Sequence, residues 1–170
     1  ATKVTSLGNA TTDTLLPKMT VGFKSKSGKL SYNVGAVYQT FDTGATEESV
    51  TSYMGYADLA LKLDQVKLRT KVHYGQNMSE MGISGRNSKY TVASDSDTSS
   101  YGGWLQAAFG MATVGIGYVA DDIDGASDVD NQMALFANYK IKLAKGITIT
   151  PEVFYKDYMD SSAGADQGDE

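Results

Sequence analysis

Gln65 to Tyr74 reads QVKLRTKVHY. In an extended chain, successive side chains point to opposite faces. Val66, Leu68, Thr70, Val72 and Tyr74 therefore share one side, and Lys67, Arg69, Lys71 and His73 share the other. A helical period of 3.6 residues would scatter both sets around a cylinder, and the β-branched Val66, Thr70 and Val72 favour a strand independently. The segment is a strand between two unlike media. A Lys or Arg facing lipid at mid-membrane would cost about 2 to 4 kcal/mol, so the charged side must face water. Charges two residues apart are about 7 Å from one another and repel by only about 0.6 kcal/mol per pair in water, so a wet face tolerates the ladder. The remaining question is whether the greasy side faces a bilayer or a protein core.

Composition narrows the answer. The chain has 170 residues, with 18 Gly, 11 Tyr, two Pro and no Cys. That suits one all-β domain with many turns, and it excludes disulfides, thiol nucleophiles and thiolate metal sites. A net charge of -5 argues against nucleic acid as a partner. No apolar run reaches the roughly 20 residues of a membrane helix, and the amino end lacks a basic-then-apolar leader, so a mature or cut chain is expected. A mean hydropathy of -0.28 does not weigh against a membrane barrel, whose strands are apolar only at alternate positions.

The same alternation recurs along the chain. Residues 1–16 are polar and read as an extracellular loop segment. Across 17–158 the pattern predicts eight strands: 17–26, 29–41, 50–63, 65–74, 99–110, 112–120, 131–143 and 147–158. Residues 159–170 read as a second polar, frayed extracellular segment. Pro151 lies in the last strand and predicts an edge or a broken hydrogen-bond ladder there. Trp104 and Phe136 depart from the apolar faces of their strands. Strands of roughly 9 to 13 residues suit a tilted crossing of a bilayer, which needs about 9 to 11. Connections after the odd strands are tight and those after the even strands long and acidic, so one rim carries turns and the other loops.

Aromatic placement separates the two media. Tyr38, Tyr53, Tyr74, Tyr101, Tyr118 and Tyr155 all belong to greasy faces near the long-loop ends of their strands. Phe23, Tyr32, Phe109 and Tyr139 form a looser set towards the turns. Two girdles separated by aliphatic residues are what a bilayer requires, since Tyr favours the headgroup level. A soluble up-and-down barrel binding an apolar ligand has the same period, but it gives no reason for rings of Tyr. A barrel that sheathes an electron-transfer partner is a further alternative. The fold expected is an antiparallel up-and-down transmembrane β-barrel.

These residues resemble a Gram-negative outer-membrane general porin: amphipathic strands, Tyr girdles, tight turns opposite long acidic loops, and a basic inner wall. The likeness covers 17–158 and is architectural. It implies a homotrimer in the bacterial outer membrane, in contact with lipid and lipopolysaccharide, whose roughly 16-stranded barrels pass small hydrophilic solutes and ions by passive diffusion. The chain departs from the family in beginning with a short turn, Ser27-Gly28, and in lacking a terminal aromatic strand after Tyr158. Part of a larger porin is therefore expected, and an intact mass near 18 kDa would contradict it.

Candidate pore-lining residues are Lys18, Lys24, Asp58, Lys67, Arg69, Lys71, His73, Lys140, Glu152 and Lys156. Their net positive sign predicts an anion preference, unless these cations merely solvate the wall or pair with acids elsewhere. Asp121, Asp122, Asp124, Asp128 and Asp130 offer a weak calcium or lipopolysaccharide-bridging site, although the spacing is not that of an EF-hand and a solvated acidic loop accounts for the run more simply. Residues 75–98 read either as a surface loop or as a constriction carrying Arg86 and Lys89. One histidine rules out a histidine-rich metal site. No nucleophile motif, phosphate loop or carboxylate pair appears, so neither an enzyme nor a cofactor is expected.

Overall fold

The computed structural model describes residues 12–43, 48–81, 90–91 and 95–169. Among these residues ten strands form: β1 (Thr12–Ser27), β2 (Leu30–Thr43), β3 (Glu48–Lys62), β4 (Val66–Gln76), β5 (Thr98–Phe109), β6 (Ala112–Ile123), β7 (Asp130–Tyr139), β8 (Ile141–Ala144), β9 (Ile147–Ile149) and β10 (Glu152–Asp157). β1 to β7 and β10 make one antiparallel sheet in which each strand pairs with its neighbour in sequence, while β8 and β9 form a two-stranded ladder. That ladder continues the β7/β10 hairpin without a change of register, since Asn138 faces Glu152 and Ile141 faces Ile149. Pro151 causes the interruption. It has no N–H to return to the ladder, and only its carbonyl accepts, from Tyr139 N at 3.2 Å. Pro17 has the same effect in β1, where the register shifts between Leu16 and Met19. Pro17 thus lies in one edge strand of the sheet and Pro151 immediately before the other.

Two expectations need correction. Strand β1 begins at Thr12, inside the segment read as loop, because pairing with β2 continues to Thr43 beyond the apolar part of the strand. The tail after Tyr158 is not frayed: Ser161 N donates to the Ala165 carbonyl at 2.8 Å, and Gln167 Nε2 reaches the Asp130 carboxylate at 3.1 Å. Its polar side chains fold the segment back on itself, which composition alone does not indicate.

Register fixes the tilt of the sheet. The row of paired residues that starts at Leu30, beside the first turn, runs through Leu61, Leu68, Ala107 and Val114 to Ala137. The last hairpin does not end until Ala144, seven residues further on (144 minus 137). If the turns mark one rim, seven residues at about 3.4 Å over five strand spacings of about 4.8 Å give a tilt of about 45°, within the range of transmembrane barrels. The tyrosines obey the same slope. Counted from that row towards the loops, Tyr38 and Tyr53 lie eight residues away, Tyr74 and Tyr101 six, Tyr118 four and Tyr155 two. This fall offsets the stagger of the sheet, so the six rings lie level. Phe23, Tyr32, Phe109 and Tyr139 follow the same slope nearer the turns. From the turns to the tyrosine ring is about eight residues along the strands, a height of about 20 Å at that tilt, close to the apolar band of about 25 Å on an outer-membrane barrel.

The two faces differ as these media require. The apolar face is uncovered: Val21 is 70% exposed, Val72 55% and Val153 75%. The buried apolar residues of β2 and β3, namely Val37, Phe41, Val50 and Met54, lie on the opposite, polar face. There side chains from adjacent strands converge, and the Tyr56 hydroxyl reaches across Gly35 to within 3.5 Å of a Cβ position on Gly22. The polar face is the concave, inner one. An apolar interior of the ligand-binding kind is therefore not what this sheet builds.

Candidate functional site: the inner wall

One row of residues crosses the inner face through Lys24, Asn33, Asp58, Lys71, Trp104, Gly117, Ala134 and Lys156. Each occupies an inward position of its strand, so alternation and register together bring residues more than a hundred positions apart onto one wall. Arg69 and Lys67 follow at successive inward positions of β4 towards the turns, and His73 lies on the other side of Lys71. Tyr32, Ala60 and Thr70 join Lys24, Asp58, Lys67, Arg69 and Trp104 around a groove of about 470 Å³.

The cations of this wall are held without neutralisation. Among the described residues, none of Lys24, Lys67, Arg69 and Lys71 has a carboxylate partner, whereas Lys29 pairs with Asp64 at 2.7 Å on the turn rim. Asp58 faces Lys71 across the strands yet accepts instead from Asn33 Nδ2 at 2.9 Å. Lys71 Nζ lies 5.3 Å from the centroid of the Tyr56 ring, and the Arg69 guanidinium 5.8 Å from that of Trp104. Such cation–π contacts, worth about 0.5 to 1 kcal/mol at exposed sites, position a charge without cancelling it. Lys62 stands directly opposite Lys67. Like charges in facing positions are unfavourable in a dry environment, so this pair also calls for water.

The other candidates are more dispersed. Lys156 donates to the Tyr158 hydroxyl at 2.8 Å, and Glu152 accepts from Asn138 at 3.2 Å. Lys140 extends past the Gly110–Met111 turn, its backbone N–H on the Met111 carbonyl, and lies at the rim rather than beside the β4 ladder. Lys18 sits on edge strand β1 at the register shift, near the loop end. Sequence reasoning passed over Lys62 and Tyr56, and it placed Lys26 on the polar face of its strand without counting it among the pore-lining residues. Their signal was available in parity, since Lys62 and Tyr56 share the inward positions of β3 with Asp58, and Lys26 shares those of β1 with Lys24.

Acids gather at the opposite end. Asp121 and Asp130 face each other where β6 and β7 leave the sheet; both are buried, and Ser100 donates to Asp121. Asp122 and Asp124 are exposed, and Asp128 accepts from the Val129 N–H at 2.8 Å. Among the described residues no group of carboxylates comes together in a geometry that could hold a metal ion. The calcium reading therefore has no site here, because a turn and two strand ends spread the five residues over different surfaces.

The described residues that follow β4 pack on the inner face at Met78 and Tyr90. A 3-10 turn (Met78–Met81) places Met78 against Val37 and Met54, with Tyr56 beside them, and Tyr90 packs on Phe41 and Val50. Asn77 fastens it: its amide donates to the Thr51 carbonyl at 3.1 Å and to Asp97 at 2.6 Å, while its side-chain oxygen accepts from Thr98 N at 3.0 Å. Its φ of 50° suits Asn better than most residues. Arg86 and Lys89 lie outside the described residues. Asn77→Ala is expected to weaken this docking by about 2 to 3 kcal/mol, through the lost bonds and the strained φ. Faster protease cleavage between 77 and 97 in the folded protein would measure it; an unchanged rate would show that Asn77 is not the fastening.

A curved, tilted meander with an apolar outside and a charged inside defines a transmembrane β-barrel wall. No protein-family model matches the chain, and no curated protein matches it. Among solved structures it is similar to the crystal structure of the outer membrane channel DcaP of Acinetobacter baumannii, with a TM-score of 0.79 over 98% of this chain at 16% identity. The chain spans about half of that channel, 52% of its length. The likeness at this identity is one of fold: the antiparallel up-and-down meander of this chain matches about half of that structure.

Proposed function

We propose that the chain forms part of the wall of a water-filled channel in a bacterial outer membrane, passing small hydrophilic solutes and ions by passive diffusion with a preference for anions. The observation that carries this reading is the set of inner-face cations Lys24, Lys67, Arg69 and Lys71, none neutralised by a carboxylate among the described residues. An apolar barrel wall concentrates the field of such charges in the water it encloses. The outer face supports the setting, with aromatic rings at the two levels of a bilayer of outer-membrane thickness. Lipopolysaccharide at the loop rim and a homotrimeric assembly are part of the proposal through the resemblance to general porins. The wall's role is conduction rather than catalysis.

The whole protein in a planar bilayer tests this. Stepwise conductance is expected, with a zero-current potential under a salt gradient on the anion-selective side. Raising ionic strength from about 0.1 M to about 1 M shortens the screening length from about 10 Å to about 3 Å, so selectivity should fall markedly. A folded barrel without conductance would reject the channel and favour a sheath around a partner.

A further inference from the structure

The inner wall carries a second pattern besides charge. Tyr56 stands directly opposite Gly35 across the β2/β3 pair, and Phe136 directly opposite Gly115 across β6/β7. A methyl group on Gly35 would lie 2.6 to 2.8 Å from Oη, Cζ and Cε1 of Tyr56. One on Gly115 would collide with Cε1 and Cζ of Phe136. Each ring therefore occupies the space that a side chain on the facing strand would fill. Glycine is unfavourable inside a strand, where it packs nothing, and such a position marks a close approach.

We infer that Gly35 and Gly115 are positioning residues that set the calibre of the proposed channel, by seating Tyr56 and Phe136 flat against its wall. The inference rests on the channel reading. A ring lying on the backbone takes its thickness, about 3.5 Å, from the lumen, whereas a ring turned inward projects by its length, about 6 Å. Lys71 shares the consequence, because its ammonium is held over the Tyr56 ring. Lifting that ring moves a charge as well as an obstacle.

The test is single-channel conductance of the whole protein as wild type, Gly35→Ala, Tyr56→Ala and the double variant. Gly35→Ala is expected to conduct about one half to four fifths as well as wild type, Tyr56→Ala at least as well, and the double variant like Tyr56→Ala. Unchanged conductance in Gly35→Ala would overturn the inference, as would a double variant still as low as Gly35→Ala. If Gly35→Ala fails to fold, judged by its mobility on unheated gels, the double variant decides. Folding restored by removing the ring supports the seating, and folding not restored overturns it. A wild-type barrel with no conductance would reject the channel itself and the calibre with it, an outcome distinct from any ratio between variants. Gly115→Ala with Phe136→Ala repeats the cycle at the second seat.

Discussion

With Lys67, Arg69 and Lys71 all replaced by glutamine, the anion-to-cation permeability ratio of the whole protein is expected to fall by at least about threefold. The three cations occupy consecutive inward positions of β4, and among the described residues no carboxylate neutralises them. Glutamine stays polar and is one to two atoms shorter than Lys or Arg, so the lumen is widened slightly while three charges are removed. Trp104 and Tyr56 lose the cations above them, while Tyr56 keeps its seat against Gly35. The measurement is the zero-current potential under a salt gradient, taken near 0.1 M, where the screening length is still about 10 Å. A potential equal to that of wild type would mean that these charges only solvate the wall and that selectivity arises elsewhere.

The second large effect separates the two faces by one residue. Val114 points outward, is 45% exposed, and lies three residues from the Gly110–Met111 turn and four from Tyr118, between the turns and the tyrosine ring. Val114→Arg is expected to destabilise the folded barrel by about 2 to 4 kcal/mol, the cost of a cation facing lipid at that depth. Thr113→Arg, one position along the same strand, places its charge on the inner face and should cost less than about 1 kcal/mol. Reversible unfolding in lipid vesicles, monitored by Trp104 fluorescence, compares the two. Equal losses would contradict the assignment of faces throughout the sheet, because register and parity tie every strand to its neighbours.

The residues QVKLRTKVHY illustrate why the alternation was legible. A strand's period of two is local, so each residue's face follows from its neighbours in the chain, without knowledge of any partner strand. The tight turns were legible for a similar reason. Gly28 and Gly110 adopt φ of 56° and 58°, conformations that glycine takes at no steric cost, and each opens a two-residue hairpin loop. Pro151 announced its broken ladder through chemistry it carries itself. By contrast, the aspartates from 121 to 130 were close in sequence yet did not form a site. Adjacent strand residues point to opposite faces, and the turn between them sends Asp124 and Asp128 into solvent.

Sequence alone therefore determined the number of crossings, the wet and greasy side of each, and the side to which the tyrosines belong. The tertiary structure decided whatever depends on register between strands. That includes the tilt that brings six tyrosines from offsets of eight to two residues onto one level, and the row joining Lys24 to Lys156. It also includes the glycines opposite Tyr56 and Phe136, and the inward fold of Met78 and Tyr90. The physical reason is the range of the interactions. Alternation and turn geometry act between neighbours in the chain, whereas pairing register is a choice among lateral partners that appears only when the sheet has formed.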